Sequence, residues 1–400
     1  MTLFLNTFIT CFLYYIIGRP YTNLKSSFSN CCLLVINGAI ILSFIAVFIN
    51  FFFKLSEITN TILFLLLIVF SFYKIPFKKI INNKSLISIL LISLFATVII
   101  YLADNNRPDS GLYHFPFIKL LNDEKLIIGI TNINSRFGTI SIIQYLQAIS
   151  NNVITNTNGM LLPLSILPSA IYLYFFNEIN IQIKKKVKNK PFLLFIFFSL
   201  IFFTYKMNRY GQYGNDYIPH FFVFFLVSMI LKYNNKISFS NIYFYSVFIF
   251  LNKIIFFPIF FFALLKLKEN FKFYYLFNFK NFLISGFLVL WVLKTLLNSG
   301  CLFWPFQNSC INKLSWFNSD ESSIQHVSRL ANTNKAWAKA WPDKKEGYET
   351  QEEYISGYKW IKVWASNHGK KVFKIISIYA VFLILIIYGL KKNIKQNLEE

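Results

Sequence analysis

The chain has 400 residues, of which 56% are hydrophobic, 20% aromatic and only 14% charged, with a mean hydropathy of +0.50. A soluble domain carries roughly 25% charged residues, so this composition excludes an ordinary soluble globular protein. The formal net charge of +23 sits mostly in short loops between apolar runs, the pattern of cytoplasmic connections facing an anionic leaflet, and a nucleic-acid binder is set aside.

Apolar runs predict membrane helices near 2–18, 32–53, 59–74, 85–103, 155–177, 191–205, 217–231, 240–265, 281–298 and 372–390. Such lengths suit a hydrocarbon layer about 30 Å thick. The first run lacks a basic n-region and a small-residue cleavage site, so it reads as a retained span. Basic stretches at 74–84, 184–190, 231–236, 265–272 and 391–395 are expected to face the cytoplasm, which makes loops 104–154, 206–216 and 299–371 external. The run 240–265 is interrupted by Asn252, Lys253 and Pro258. Basic loops flank both its ends, so it must cross twice or re-enter. The expectation is an all-α polytopic membrane protein with about 11 (10–12) transmembrane helices, the N-terminus outside and the C-terminus inside. It divides into a helical domain 1–298, a long external loop 299–371, and a last helix with a basic tail, 372–400.

Most acids and all four histidines fall in external loops, so any chemistry is expected on the outer face. Cys11, Cys31 and Cys32 lie in or beside spans and read as small hydrophobes, whereas Cys301 and Cys310 lie outside, where oxidising conditions permit a disulfide.

The first external loop contains "RPDSGLYHFPFIKLLNDEK", residues 107–125. Pro108 and Gly111 should end the preceding helix and leave Asp109 in a surface turn. From Phe115 the spacing predicts a helix with His114, Phe117, Ile118 and Leu121 on one face and Lys119, Asn122 and Asp123 on the other, lying in the interface. Asp109 can act as a general base, hold a divalent ion (Mg or Mn) on a phosphate, or cap its turn. His114 could serve the first two roles, and Arg107 or Arg136 could pair with phosphate oxygens or with lipid headgroups.

The second cluster is "KMNRYGQYGNDYIPH", residues 206–220. Gly211 and Gly214 would allow a tight turn, and Asp216 stands at the mouth of a span, where an acid must be solvated, paired or working. Lys206 and Arg209 are its nearest candidate partners. Lys253, central in an apolar run, faces either a cavity with an anion or solvent at a hairpin tip. In the last loop Trp337 and Trp341 recur at helical spacing beside Lys335 and Lys339, as sugar-stacking faces or as interfacial anchors. No Gly-rich phosphate loop, zinc spacing, GxSxG elbow or CxxC pair occurs, so nucleotide energy is not expected to be used by this chain.

The first loop, with its Asp-Ser-x-x-Tyr-His segment and the Gly-x-x-Asn-x-x-x-Arg-x-Gly turn at 129–138, resembles a group of bacterial membrane proteins whose layout is similar to the GT-C superfamily of polyprenyl-phosphate-dependent glycosyltransferases. "SGCLFWPF" and "NKAWAKAW" look like the last external loop of that group. The resemblance implies an inner-membrane enzyme, active on the periplasmic side, that transfers a sugar from a polyprenyl-phosphate donor to a glycan or lipid acceptor. It puts Asp109 in the catalytic or metal-binding place. Asp216 then reads as the second acid, and Arg136, Arg209 and Lys253 as stabilisers of the departing phosphate. Tyr113, Trp304, Trp337 and Trp341 become candidate surfaces for the sugar. The rivals are an O-antigen polymerase or ligase-like protein, in which Arg329 and His326 would matter, and a transporter or flippase of lipid-linked glycans.

Overall fold

The computed structural model describes residues 1–21, 27–75, 82–103, 108–185, 189–233, 236–269, 278–317, 329, 332–341, 350–358, 360–378, 380–381 and 384. Its elements are helical. Among the described residues six helices are long and apolar enough to cross a membrane: α1 (Thr2–Gly18, extended by a turn to Tyr21), α2 (Phe28–Ile49), α3 (Glu57–Lys74), α4 (Asn83–Leu102), α7 (Leu162–Lys184) and α12 (Phe279–Ser299). Four others are apolar but shorter: α8 (Lys190–Tyr205), α9 (Tyr217–Tyr233), α10 (Phe239–Asn252) and α11 (Phe260–Glu269), the last preceded by a 3₁₀ stretch at Ile254–Ile259. Two small amphipathic helices, α5 (Phe115–Asp123) and α6 (Ile142–Ile149), lie between α4 and α7.

Helix starts obey local chemistry. Ser27, Ser56, Asn82, Asn189, Ser238 and Asn278 each accept a backbone N–H from the first turn of the adjoining helix, caps that contribute about 1 kcal/mol apiece. The faces are inverted relative to a water-soluble helix. In α3 the buried residues are Asn60, Phe64 and Ser71, while Ile58, Ile62, Leu65, Leu66 and Val69 point outward. In α4 three serines and Ala96 are buried among isoleucines, and Ile87, Leu90, Leu94 and Val98 are exposed. An apolar exterior over a partly polar interior is the arrangement of helices that meet lipid.

The centre is α1 packed against α2, with α4 and α7 alongside. At the α1–α2 crossing a methyl group on Gly18 would lie 2.1 Å from the Leu34 carbonyl oxygen, and one on Gly38 would lie 1.8 Å from that of Tyr14. The two backbones touch, which only glycine permits at both positions.

Polar groups inside this unit find partners in one another. Asn60 donates to the carbonyls of Leu55 (2.7 Å), Ala148 (3.0 Å) and Asn151 (2.6 Å), and Asn122 donates to those of Leu55 and Ala148 while accepting from Asn151. This corrects the placement of Asn122 on a solvated face: it is buried, because the carbonyls at the end of α6 and at Leu55 need donors. Farther along, Lys232 pairs with Glu178 at 2.8 Å, and Glu178 also accepts from Ser29. Lys294, buried in α12, donates to Asn50 Oδ1 (2.8 Å) and lies over the rings of Phe51 and Tyr145.

The chain forms two compact units, Met1–Trp304 with Ser309–Phe317, and Pro305–Asn308 with Asn318–Glu400. The expected boundary at 298 therefore falls inside the first unit, and the start of the long loop folds with the helices. In the second unit, short helices at 332–338, Gln351–Ile355 and Trp360–Trp364 surround a small core of Ala336, Trp341 and Tyr354. Of the expected last helix and tail, residues 385–400 lie outside the described residues.

Candidate functional site

The first loop does not turn where glycine and proline suggested. Pro108 and Asp109 are helical, Ser110–His114 form one π-helical turn, and α5 continues without a break. One extra residue in a turn rotates the downstream helix about its own axis, as π-bulges do at many functional sites. His114, Phe117, Ile118 and Leu121 then share the buried face as their spacing required, and Lys119 pairs with Asp123 outside. The buried face of α5 rests on α6 and belongs to the main core.

Asp109 makes no cap hydrogen bond with its side chain, which removes the turn-capping role. Its carboxylate instead meets Arg136 at 3.4 Å, and the Arg136 guanidinium lies 4.8 Å from the centre of the Tyr113 ring. Arg136 is aimed by the glycine-flanked turn. Gly129 adopts φ 69° and bonds through its N–H to Leu297, Asn132 donates to Trp316, and Asn134 accepts the Arg136 N–H. A methyl on Gly138 would lie 2.5 Å from the Trp304 ring. Trp304 is thus buried against that turn and offers no face to a sugar.

The second cluster closes over the first. Ser110 donates to the Tyr213 carbonyl at 2.8 Å, and Phe115 meets the Tyr213 ring edge-on at 5.4 Å. Gly211 is small because a methyl there would lie 2.8 Å from Ala103 Cβ, at the end of α4. Gly211 and Gly214 both have negative φ, so close approach, not a left-handed turn, explains Gly211. Tyr217 fixes the loop by donating to the carbonyls of Tyr210 and Leu164.

The interrupted run forms two short helices. α10 ends at Asn252, Lys253 is extended (φ −154°, ψ 123°), and a 3₁₀ stretch leads into α11. Helices of 14 and 10 residues reach about 21 and 15 Å at 1.5 Å per residue. At the break Lys253 donates to Asp216, while Asn252 accepts from Ser141 at the start of α6. His220, one turn into α9, bonds through Nδ1 to the Asp216 carbonyl at 2.7 Å and stands edge-on to Phe256.

The first loop, the end of α8 and the loop leading into α9 line a cavity of about 230 Å³, with Asp109, His114, Lys206, Arg209, Asp216 and His220 beside the rings of Tyr210, Tyr213, Tyr217 and Phe221. Partial withdrawal from water pushes the Asp216 carboxyl up, but the Lys253 charge and hydrogen bond, helped by His114 and His220, outweigh this and leave it below the usual carboxylate value. Burial, reinforced by Asp109 and Asp216, pushes the Tyr113 hydroxyl up to about 12. Burial holds His114 below 6.5 against the opposing pull of the two carboxylates. His114 therefore feels Asp109, Arg136, Asp216 and Lys253 together.

A family model described as a domain of unknown function (DUF8201) matches residues 1–398. The chain belongs to that family. No curated protein and no solved structure matches it.

Of the site residues expected in this DUF8201 chain, the structure brings Asp109, His114 and Asp216 together with Arg209 on one cavity, with Arg136, Tyr113 and Lys253 attached through them. Arg107 and His326 lie outside the described residues. Trp341 is core to the second unit, 5.0 Å from Tyr354, while Trp337 is exposed. Cys301 and Cys310 are joined by a disulfide, and Cys11, Cys31 and Cys32 are free and buried. The donor set does not fit a divalent ion: Asp109 is engaged by Arg136, and among the described residues no three His, Cys, Asp or Glu side chains are grouped to hold one. Gln144, whose amide nitrogen lies 3.5 Å from His114 Nδ1, and His220 were missed. The signal available for Gln144 was the capping-box spacing from Ser141.

Proposed function

We propose that this chain is a GT-C-like glycosyltransferase of a bacterial inner membrane, transferring one sugar from a polyprenyl-phosphate donor to a glycan or lipid acceptor at the periplasmic face. The observation that carries the reading is the gathering of Asp109 and Asp216, 107 residues apart in sequence, with Lys206 and Arg209 on one cavity beside the helix break that holds Lys253. In this reading α10 and α11, of 14 and 10 residues, are too short to cross singly and enter and leave as a pair from the cytoplasmic side.

In this reading Lys206, Arg209 and Lys253 hold the donor phosphate, and the Asp109 carboxylate stabilises the positive charge that develops at the anomeric carbon. The Arg136 guanidinium, stacked on Tyr113, fixes the Asp109 carboxylate in place. A cavity of about 230 Å³ is smaller than the roughly 300–1,000 Å³ of drug-sized pockets, which suits a single sugar unit. The aromatic lining supplies faces for its ring. The test is transfer from labelled lipid-linked sugars in membranes carrying wild-type protein or Asp109→Asn. Loss of transfer in the variant is expected, and wild-type rates would sink the assignment.

A further inference from the structure

The hydrogen-bond partners of the cavity's two histidines call for opposite tautomers. His220 Nδ1 lies 2.7 Å from the Asp216 backbone carbonyl oxygen. A carbonyl can only accept, so Nδ1 carries the proton and neutral His220 presents an unprotonated Nε2. For His114 the argument runs through Gln144. Its Oε1 accepts the Ser141 N–H at 3.0 Å, which fixes the amide orientation and leaves the NH₂ group facing His114 Nδ1 at 3.5 Å. Nδ1 of His114 is then the acceptor, and its proton sits on Nε2. One ring can take a proton and the other can give a hydrogen bond, and both line the same cavity.

We propose that His220 Nε2 is the proton acceptor of this site and His114 Nε2–H its hydrogen-bond donor, with Gln144 the positioning residue that sets the second. The reaction rests on the glycosyl-transfer reading; the tautomers do not. As the acceptor hydroxyl oxygen bonds to the anomeric carbon, its proton passes to His220 Nε2. The bond from the anomeric carbon to the phosphate oxygen breaks, and the phosphate leaves with the electron pair while accepting a hydrogen bond from His114. The His220 imidazolium forms beside the Asp216 carboxylate, whose charge it already favours, and returns its proton to the released phosphate or to water. Asp109, held by Arg136, is thereby relieved of proton transfer.

The chain has only four histidines, so ¹⁵N-histidine NMR of the whole protein in lipid nanodiscs is tractable, with His114→Gln and His220→Gln providing assignment. At a pH about two units above the ordinary histidine value of 6.5, His220 should be the Nδ1–H form and His114 the Nε2–H form. Inverted forms, or a His220 ring averaging equally between both, would overturn the proposal. In transfer assays His220→Ala should lose on the order of 100-fold or more in rate and recover part of it when free imidazole is added. An unchanged His114 resonance in that variant reports an intact fold, and failure of imidazole to rescue it would reject the proton-acceptor role. A wild-type protein that transfers no sugar removes the glycosyltransferase reading alone, because the NMR result still decides the donor and acceptor arrangement.

Discussion

Lys253 hydrogen-bonds Asp216 across 37 residues of chain, joining the break between α10 and α11 to the loop before α9. Asp216 lines the cavity, and its carboxylate engages the Lys253 ammonium. On the proposed reading, a phosphate reaching Lys253 would exchange with Asp216, coupling its binding to release of that carboxylate.

Removing the lysine should therefore affect ligand more than fold. The Lys253 and Asp216 side chains are 34% and 71% exposed, and such pairs contribute about 0–1 kcal/mol after solvent screening. Lys253→Met is expected to melt near wild type while its affinity for a polyprenyl phosphate falls about 10- to 100-fold, the worth of a charge-assisted hydrogen bond. Calorimetric titration of both proteins measures this, and equal affinities would remove Lys253 from the phosphate site.

Acidification should act through His114. Its folded-state value lies below 6.5 because burial disfavours the imidazolium. The unfolded chain then binds the proton more readily, so stability is complete above about pH 6.5 and is lost as pH falls from there through the folded value. Thermal melts of wild type and His114→Gln between about pH 8 and 5 check the sign: the wild type should lose more stability on acidification than the variant.

The backbone contact of α1 with α2 sets a sharper test of the fold. Gly38→Ala places a methyl 1.8 Å from the Tyr14 carbonyl oxygen, whereas Gly286→Ala in α12 meets nothing within 4 Å. Overpacking of this kind costs about 1–3 kcal/mol or more. The first variant is expected to melt several degrees lower or to lose yield, and the second to match wild type by size-exclusion chromatography and thermal melt.

The Glu178–Lys232 pair differs from the exposed one because its side chains are only 3% and 18% exposed. Breaking a buried pair by removing one partner costs about 3–5 kcal/mol, since a charge is left unmatched. Lys232→Met should be more destabilised than the double variant Glu178→Gln with Lys232→Met. A double-mutant cycle on melting midpoints reads the coupling, and strictly additive losses would mean the two charges do not depend on each other.

Local spacing determined whatever was legible in the sequence. The apolar runs became helices, the period from His114 to Leu121 placed its buried face correctly, and Asn252–Lys253 marked a true break. The illegible part depends on partners far along the chain. Asn122 looks solvated by period, yet it is buried by its bonds to Leu55 and Ala148. Trp304 looks like a binding face until Gly138 is seen to make room for it. Lys294 sits in an apolar helix with no local hint of Asn50 opposite. His220 closes the second external cluster in the sequence, but nothing there singles it out, because only the carbonyl one turn earlier defines which of its ring nitrogens is available.

The asparagine cluster also has a schedule. Asn60 bonds to backbone carbonyls 88 and 91 residues later in the chain. At synthesis rates of about 5–20 residues per second, those partners emerge on the order of 5–20 s after Asn60 itself. Until then the first turn of α3 carries an amide that lacks two of its three receivers. The first three helices therefore cannot settle as a finished subassembly while the ribosome is still at work, and must wait for α6 to be delivered to the same side.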